Sequence, residues 1–231
     1  MTRLRWRIAV AVCLAAVVLS ACVRTNEGTP VAGQTAGTTA PAPSSTIPTR
    51  EADQSAPGVV PTTRAPVPQD AVTCSQPVLP PVRMKAEVDD PKAPRITVGV
   101  PDGWSVSTGS GDIGAQLTGP DGMSATVTIA PTQLDPSSAF RKYADDLMGQ
   151  SAVSSVSAMP GELCVYSGQK LMGAWSDTPQ NAVQFEDRIV HVWTNGGPSY
   201  LVAVHVQAPT GTEGFDAAAS VLTEDFEIEL P

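Results

Sequence analysis

The feature that most limits what this chain can fold into is an apolar run that stops short. Arg3, Arg5 and Arg7 precede it, it extends from Ile8 to Leu19, and Ser20, Ala21 and Cys22 close it. A charged start, an apolar stretch of about a dozen residues and small residues at its end are the parts of a secretory signal. A helix that crosses a bilayer needs about 20 apolar residues, so this run is too short to span one. Whatever folds must therefore lie downstream, in a compartment where disulfides persist.

Leu19-Ser20-Ala21-Cys22 resembles the bacterial lipobox, in which the chain is cut just before the Cys and its sulfur is acylated. The resemblance implies a signal peptide over residues 1–21 and Cys22 as an acylated N-terminus. It also implies attachment to the extracytoplasmic side of the cell membrane through more than one acyl chain. Each buried CH₂ contributes about 0.8 kcal/mol, and a single chain does not hold a protein stably. The plain alternative is a secreted protein with a chance cysteine at that place.

Residues 22–72 are rich in Thr, Ala, Pro, Ser and Gly and carry no aromatic residue. Such a stretch buries too little apolar surface to offset the entropy of ordering it, so a disordered tether is expected. Its reach lies between about 40 Å as a coil and about 150 Å as polyproline II. Thr38-Thr39, Ser44-Ser45-Thr46 and Thr62-Thr63 stand among prolines, a composition that suits an O-glycosylated stalk as well as a bare linker. Without Arg3, Arg5 and Arg7, the 14 basic residues fall to 11 against 23 acidic ones, a net charge of −12. Phosphate backbones repel such a chain, and no basic stripe offsets the repulsion, which excludes nucleic acid as a partner. A polybasic grip on anionic lipid is excluded in the same way.

The four cysteines separate by position. Cys13 lies in the signal and Cys22 at the acylation site, which leaves Cys74 and Cys164 as an even pair. A disulfide is the expected state, closing a loop of about 90 residues worth roughly 4 to 5 kcal/mol in the chain-entropy model. A redox pair or a thiolate metal site lacks support, because there is no C-x-x-C and only two His residues exist.

Residues 73–231 carry the periodicities of a folded domain. Ile96, Val98 and Val100 alternate with polar residues, as do Met123, Ala125, Val127 and Ile129, which predicts two half-buried strands. Pro101-Asp102-Gly103 turns the chain into Trp104. Asp135-Pro136 opens a helix in which Phe140, Tyr143, Ala144 and Leu147 form one stripe, with Lys142 and Asp146 paired on the wet side. Glu162 to Ser167, carrying Cys164, and Lys170 to Trp175 read as strands. Val183–Trp193 and Tyr200–Gln207 flank Asn195-Gly196-Gly197-Pro198 as a hairpin. Thr210 and Glu213 stand at capping-box spacing before a second helix with Phe215, Ala218, Ala219 and Leu222 on one face. Phe226, Ile228 and Leu230 then alternate with Glu227 and Glu229 in a last strand. Runs of neighbouring strands predict an α+β domain, a largely antiparallel sheet flanked by two main helices.

Motifs with chemical meaning are few. Gly109-Ser110-Gly111-Asp112-Ile113-Gly114 matches G-x-G-x-x-G, but Gly119-Pro120 forbids the helix that a dinucleotide site needs, so the stretch reads as a loop. His191 and His205 stand on the two hairpin strands; a register centred on Gly197 would set them diagonally on one face. They would still be two ligands where a structural zinc takes four, so no metal is expected. Asp89-Asp90 and Asp145-Asp146 lack the spacing of a calcium loop. No G-x-S-x-G occurs, and a hydrolase would need a Ser or Asp beside His191 or His205 in a cleft. Trp104, Trp175 and Trp193 are the candidate ligand-binding residues, since aromatic side chains between a sheet and its helices line apolar pockets; a domain of this size also needs its aromatics simply to make a core, and that is the favoured reading.

The order of elements resembles the LpqN/LpqT-type lipoproteins of mycobacteria. The residues that carry the resemblance are Pro101-Asp102-Gly103-Trp104, the Leu134-Asp135-Pro136 helix start, and Ser199-Tyr200-Leu201-Val202-Ala203-Val204 followed by Phe215 to Phe226. The Cys74–Cys164 pair is not part of that pattern. The resemblance implies a PsbP/Mog1-like fold, no catalytic residues, no cofactor, and a place in the cell envelope. Two readings stay open. One is a non-enzymatic module that binds envelope lipid or glycolipid in transport or assembly. The other is an adaptor that recruits an envelope protein complex or a host factor, for which an exposed apolar patch rimmed by acids is expected.

Overall fold

Apolar–polar alternation builds most of the strands, and two amphipathic stretches build the helices. The computed structural model describes residues 59–231 apart from 61, 63, 66, 69, 70, 75–80 and 179; the expected signal peptide, Cys22 and most of the expected tether lie outside the described residues. In chain order the elements are β1 (Val72–Cys74), β2 (Arg83–Ala86), β3 (Arg95–Gly99), β4 (Ser105–Thr108), β5 (Ile113–Thr118), β6 (Ser124–Thr132), α1 (Pro136–Met148), β7 (Val153–Leu163), β8 (Tyr166–Ser176), β9 (Val183–Trp193), β10 (Ser199–Pro209), α2 (Phe215–Thr223) and β11 (Glu227–Glu229). The strands form a four-stranded sheet, β1-β11-β3-β2, and a seven-stranded sheet, β4-β5-β6-β10-β9-β8-β7. Every pairing is antiparallel. The fold is α+β, as the order of elements predicts, with two sheets where one is expected.

Residues opposite each other on antiparallel strands share a face. Asp187, Ile189 and His191 of β9 therefore lie beside His205, Ala203 and Leu201 of β10. Helix α1 sits on this face, with Phe140 and Leu147 packed against Leu171, Phe185, Ile189 and Ala203. On the other face, Val190, Val192, Val202, Val204 and Val206 join Phe215 and Leu222 of α2 and Ile96, Val98 and Ile228 of the small sheet in the main core. The small sheet turns its charges outward, where Glu229 accepts from Lys85 at 2.9 Å and from Arg95 at 2.6 Å.

Asp135 caps α1 as its sequence predicts, its side chain accepting from Ser138 N–H at 3.0 Å with Pro136 in the first turn. Lys142 reaches Asp146 one turn on at 2.7 Å. The expected capping box of α2 does not form. Gly214 is its N-cap, in a left-handed conformation at φ 77° and with no side-chain cap, so Thr210 and Glu213 belong to the preceding turn.

Cys74 and Cys164 are bonded, with Cα atoms 5.6 Å apart. The expected strand through Cys164 is corrected: Leu163 pairs directly with Tyr166, so Cys164 and Val165 are the two central residues of the β7–β8 hairpin turn. Cys164 adopts φ 58°, which the tight turn demands and a strand would not. The disulfide thus ties an outer strand of the small sheet to a hairpin tip of the large one. Packing also begins upstream of the domain boundary expected at residue 73. Val60 O accepts from Ser167 Oγ at 2.8 Å, Val67 N–H donates to Asn195 at 3.2 Å, and Val59 packs beside the α1 cluster.

Candidate functional site

Helix α1 lies over β7, β8 and β9 and leaves the β4–β5–β6 part of the same face to solvent. Register defines what stands there. His205 and Gln207 of β10 lie opposite Thr126 and Ser124 of β6, these opposite Gln116 and Thr118 of β5, and these opposite Ser107 and Ser105 of β4. Ser105, Ser107, Gln116 and Thr118 are exposed, Ser124 and Thr126 partly so. The result is a platform of hydroxyl and amide groups with no charged side chain among these six positions. Gly109–Asp112 supplies the tight connection between β4 and β5, a loop as expected, and Ile113-Gly114 opens β5, so no helix follows the glycines as a phosphate cradle would need.

The platform ends at a buried polar cluster. Asp187 is fully buried on an otherwise apolar row between Phe185 and Ile189. Its carboxylate accepts from His205 Nδ1 at 2.5 Å and from the Tyr143 hydroxyl of α1 at 3.2 Å. His205 Nε2 in turn faces Gln207 Oε1 at 3.2 Å. Both ring nitrogens thus meet oxygen acceptors, an arrangement that favours the imidazolium. Burial alone would lower the His205 pKa, but Asp187 and Gln207 outweigh it and raise it. Burial also pushes the Asp187 carboxyl above its usual range, against the pull of His205 and Tyr143. Burial, with Asp187 alongside, holds the Tyr143 phenol well above its ordinary value. Trp175 stacks on this group, its ring 4.7 Å from that of Phe185 and 5.6 Å from the imidazole, nearly parallel to the latter at 9°.

The condition set for a hydrolase is met only in part. Asp187 does lie beside His205, but the other ring nitrogen, Nε2, is already engaged by Gln207 Oε1 at 3.2 Å. The two histidines do share a face, yet the register centres on Gly196. His191 pairs with Leu201, four positions from His205, or about 13 Å along the strand. His191 Nε2 instead contacts Leu134 O at 3.0 Å.

The three predicted tryptophans do not converge. Trp193 is buried in the main core, its ring 5.4 Å from that of Tyr166. Trp104 is partly buried at the rim of the same core, against Gly119. Trp175 alone stands on the α1 side. No Trp lines either of two surface clefts found among the described residues. One of about 360 Å³ lies between Gly122, Gln180–Val183 and Gln207–Pro209. The other, about 610 Å³, lies between Pro91, Lys92, Thr194–Gly197 and Leu230–Pro231. Sequence reasoning missed Asp187, Tyr143 and Gln207. The signal was present in Phe185, Asp187 and Ile189, since an acid at alternate spacing on an apolar row needs a buried partner.

Two antiparallel sheets with one helix on each face of the larger define an α+β domain whose open face is uncharged. The crystal structure of LpqN of Mycobacterium tuberculosis, a protein involved in cell envelope biogenesis, has this fold. It overlays with a TM-score of 0.52 at 17% identity, over 65% of this chain and 91% of that one. The expected resemblance is thus met at the level of the fold. The solution structure of PsbP from Synechocystis sp. PCC 6803 overlays more loosely, with a TM-score of 0.38 at 14% identity over 64% of this chain and 95% of that one. The sequence matches no family model and no curated protein.

Proposed function

We propose that this chain is a non-enzymatic cell-envelope lipoprotein, acylated at Cys22, whose domain binds the sugar headgroup of an envelope glycolipid on the α1-side platform. The observation that carries the reading is the uncharged row of hydroxyl and amide groups ending at Trp175 and His205. Sugar hydroxyls both donate and accept, as Ser, Thr and Gln side chains do. An indole gives an apolar plate beside them for the carbohydrate C–H face. The fold shared with LpqN, involved in cell envelope biogenesis, supports the location. In this reading the membrane tie is the acyl group on Cys22; among the described residues no helix is long and apolar enough to cross a bilayer.

Two steps test this. Cys22→Ala should release the protein from the envelope into the medium; retention would refute acylation there. The released protein should then float with phosphatidylcholine vesicles that contain a neutral diglycosyl lipid and not with vesicles that lack it. Trp175→Ala should weaken flotation several-fold. Equal flotation with both vesicles, or none with either, would overturn the headgroup reading.

A further inference from the structure

Strand β7 is one edge of the seven-stranded sheet. It runs for 11 residues and pairs with β8 without a register shift, from Val153 opposite Ser176 to Leu163 opposite Tyr166. A free edge is a template for another strand, and proteins blunt it with charge, proline, bulges or shortness. The opposite edge is blunted by length, since β4 has four residues. On β7 such guards are almost missing. No charged residue occurs between Ser151 and Gly161, there is no bulge, and the strand's one proline and one acid, Pro160 and Glu162, both stand toward one end. Apolar side chains stay in water there: Val153 is 68% exposed and Met159 43%.

We infer that β7 pairs antiparallel with β7 of a second copy, about a two-fold axis through Val156. Such an axis, perpendicular to the joined sheet, keeps each face on its own side, so odd positions meet odd and even meet even. Centred on Val156, the two most exposed apolar residues, Val153 and Met159, meet each other twice on one face. Met172 of β8 borders that row, opposite Ser157. Ser155 meets Ser157, and Ser154 meets Ala158. Pro160 falls opposite Ala152, one position before the strand begins, where its missing N–H removes no ladder bond. Centring on Ser157 would set Pro160 against Ser154 inside the strand, and centring on Ser155 would set Val153 against Ser157. The occupant follows from charge. The chain carries a net −9, yet this stretch has no acid for a basic partner to meet. A second copy brings an equally uncharged, self-complementary strand.

Sedimentation velocity of the full chain in non-ionic detergent, across a concentration series, tests the pairing. A monomer–dimer equilibrium is expected. Ser155→Lys with Ser157→Lys sets lysine against lysine twice and should weaken the dimer about tenfold or more. Ser155→Lys with Ser157→Glu sets lysine against glutamate twice and should restore it. A monomer at every concentration would overturn the inference, as would a dimer indifferent to the lysine pair or a lysine–glutamate variant no better than the lysine pair. A monomer that captures a strand of a different protein on β7 would overturn it too.

Discussion

Asp187→Asn offers a direct measure of what the buried cluster contributes. The wild-type carboxylate serves two donors, His205 Nδ1 and the Tyr143 hydroxyl, and is itself fully buried. An asparagine keeps an oxygen for Tyr143 but removes the charge that holds a proton on His205. The His205 pKa is raised from 6.5 in the folded protein, so its contribution is fully present below about pH 6.5 and is lost as pH rises through the folded value. A charge-assisted hydrogen bond contributes about 1.5 to 3 kcal/mol. Relief from burying a carboxylate offsets part of that loss, so Asp187→Asn should cost about 1 to 2 kcal/mol at pH 6 and far less at pH 9. Asp187→Ala strands both donors and should cost about 3 to 5 kcal/mol at the lower pH. Urea unfolding at pH 6 and pH 9, followed by circular dichroism, reads both quantities. Equal losses for Asp187→Asn at the two pH values would refute the charge-coupled account of the Asp187–His205 pair.

Two further outcomes follow from the fold. Removing the disulfide by Cys74→Ser with Cys164→Ser opens a loop spanning 90 positions, and urea unfolding should show a loss of about 4 kcal/mol or somewhat less. Gly173→Ala should destabilise by about 2 kcal/mol or more, because a Cβ there would lie 1.9 Å from Ser155 O and 2.7 Å from the Phe185 ring. A thermal melt unchanged from wild type would mean that Phe185 does not lie across β8 as described.

Period-two alternation was legible wherever one face of a strand is buried and the other wet. Ile96–Val98 and Ala125–Val127–Ile129 are fully buried at alternate positions, and both strands stand where the pattern places them. The Asp135 cap was legible because capping is local chemistry. Strand β7 was not, for a physical reason. Ser, Ala, Met, Pro and Gly at its far end give no alternation, and a proline argues against a central strand. An edge tolerates all of these, because half of its backbone groups bond no neighbour. Cys164 was misplaced on a similar ground. A non-glycine residue at φ 58° is rare enough that no pattern announces it, and a turn fixed by two long strands enforces it.

The site was less legible than the fold because its chemistry depends on which strands become neighbours. Nothing local links Tyr143 to Asp187, 44 positions apart, or Asp187 to His205, 18 apart; α1 crossing β9 makes the first contact and the β9–β10 register the second. The hairpin residues announced that register only to within a position, and a position is what separates two histidines in reach of each other from two that are not. The tryptophans show the converse. All three were visible as aromatic residues near strand ends, but their composition carried no sign of which side of the sheet each would take. Trp193 and Trp104 were drawn into the main core, and only Trp175, placed beside His205 by β8 and β10, borders an open polar face. A binding role for Trp175 therefore rests on the packing of α1. Because the helix covers β7, β8 and β9 and packs beyond them only on Leu201 and Ala203 of β10, the β4–β5–β6 part of the sheet remains open to a ligand.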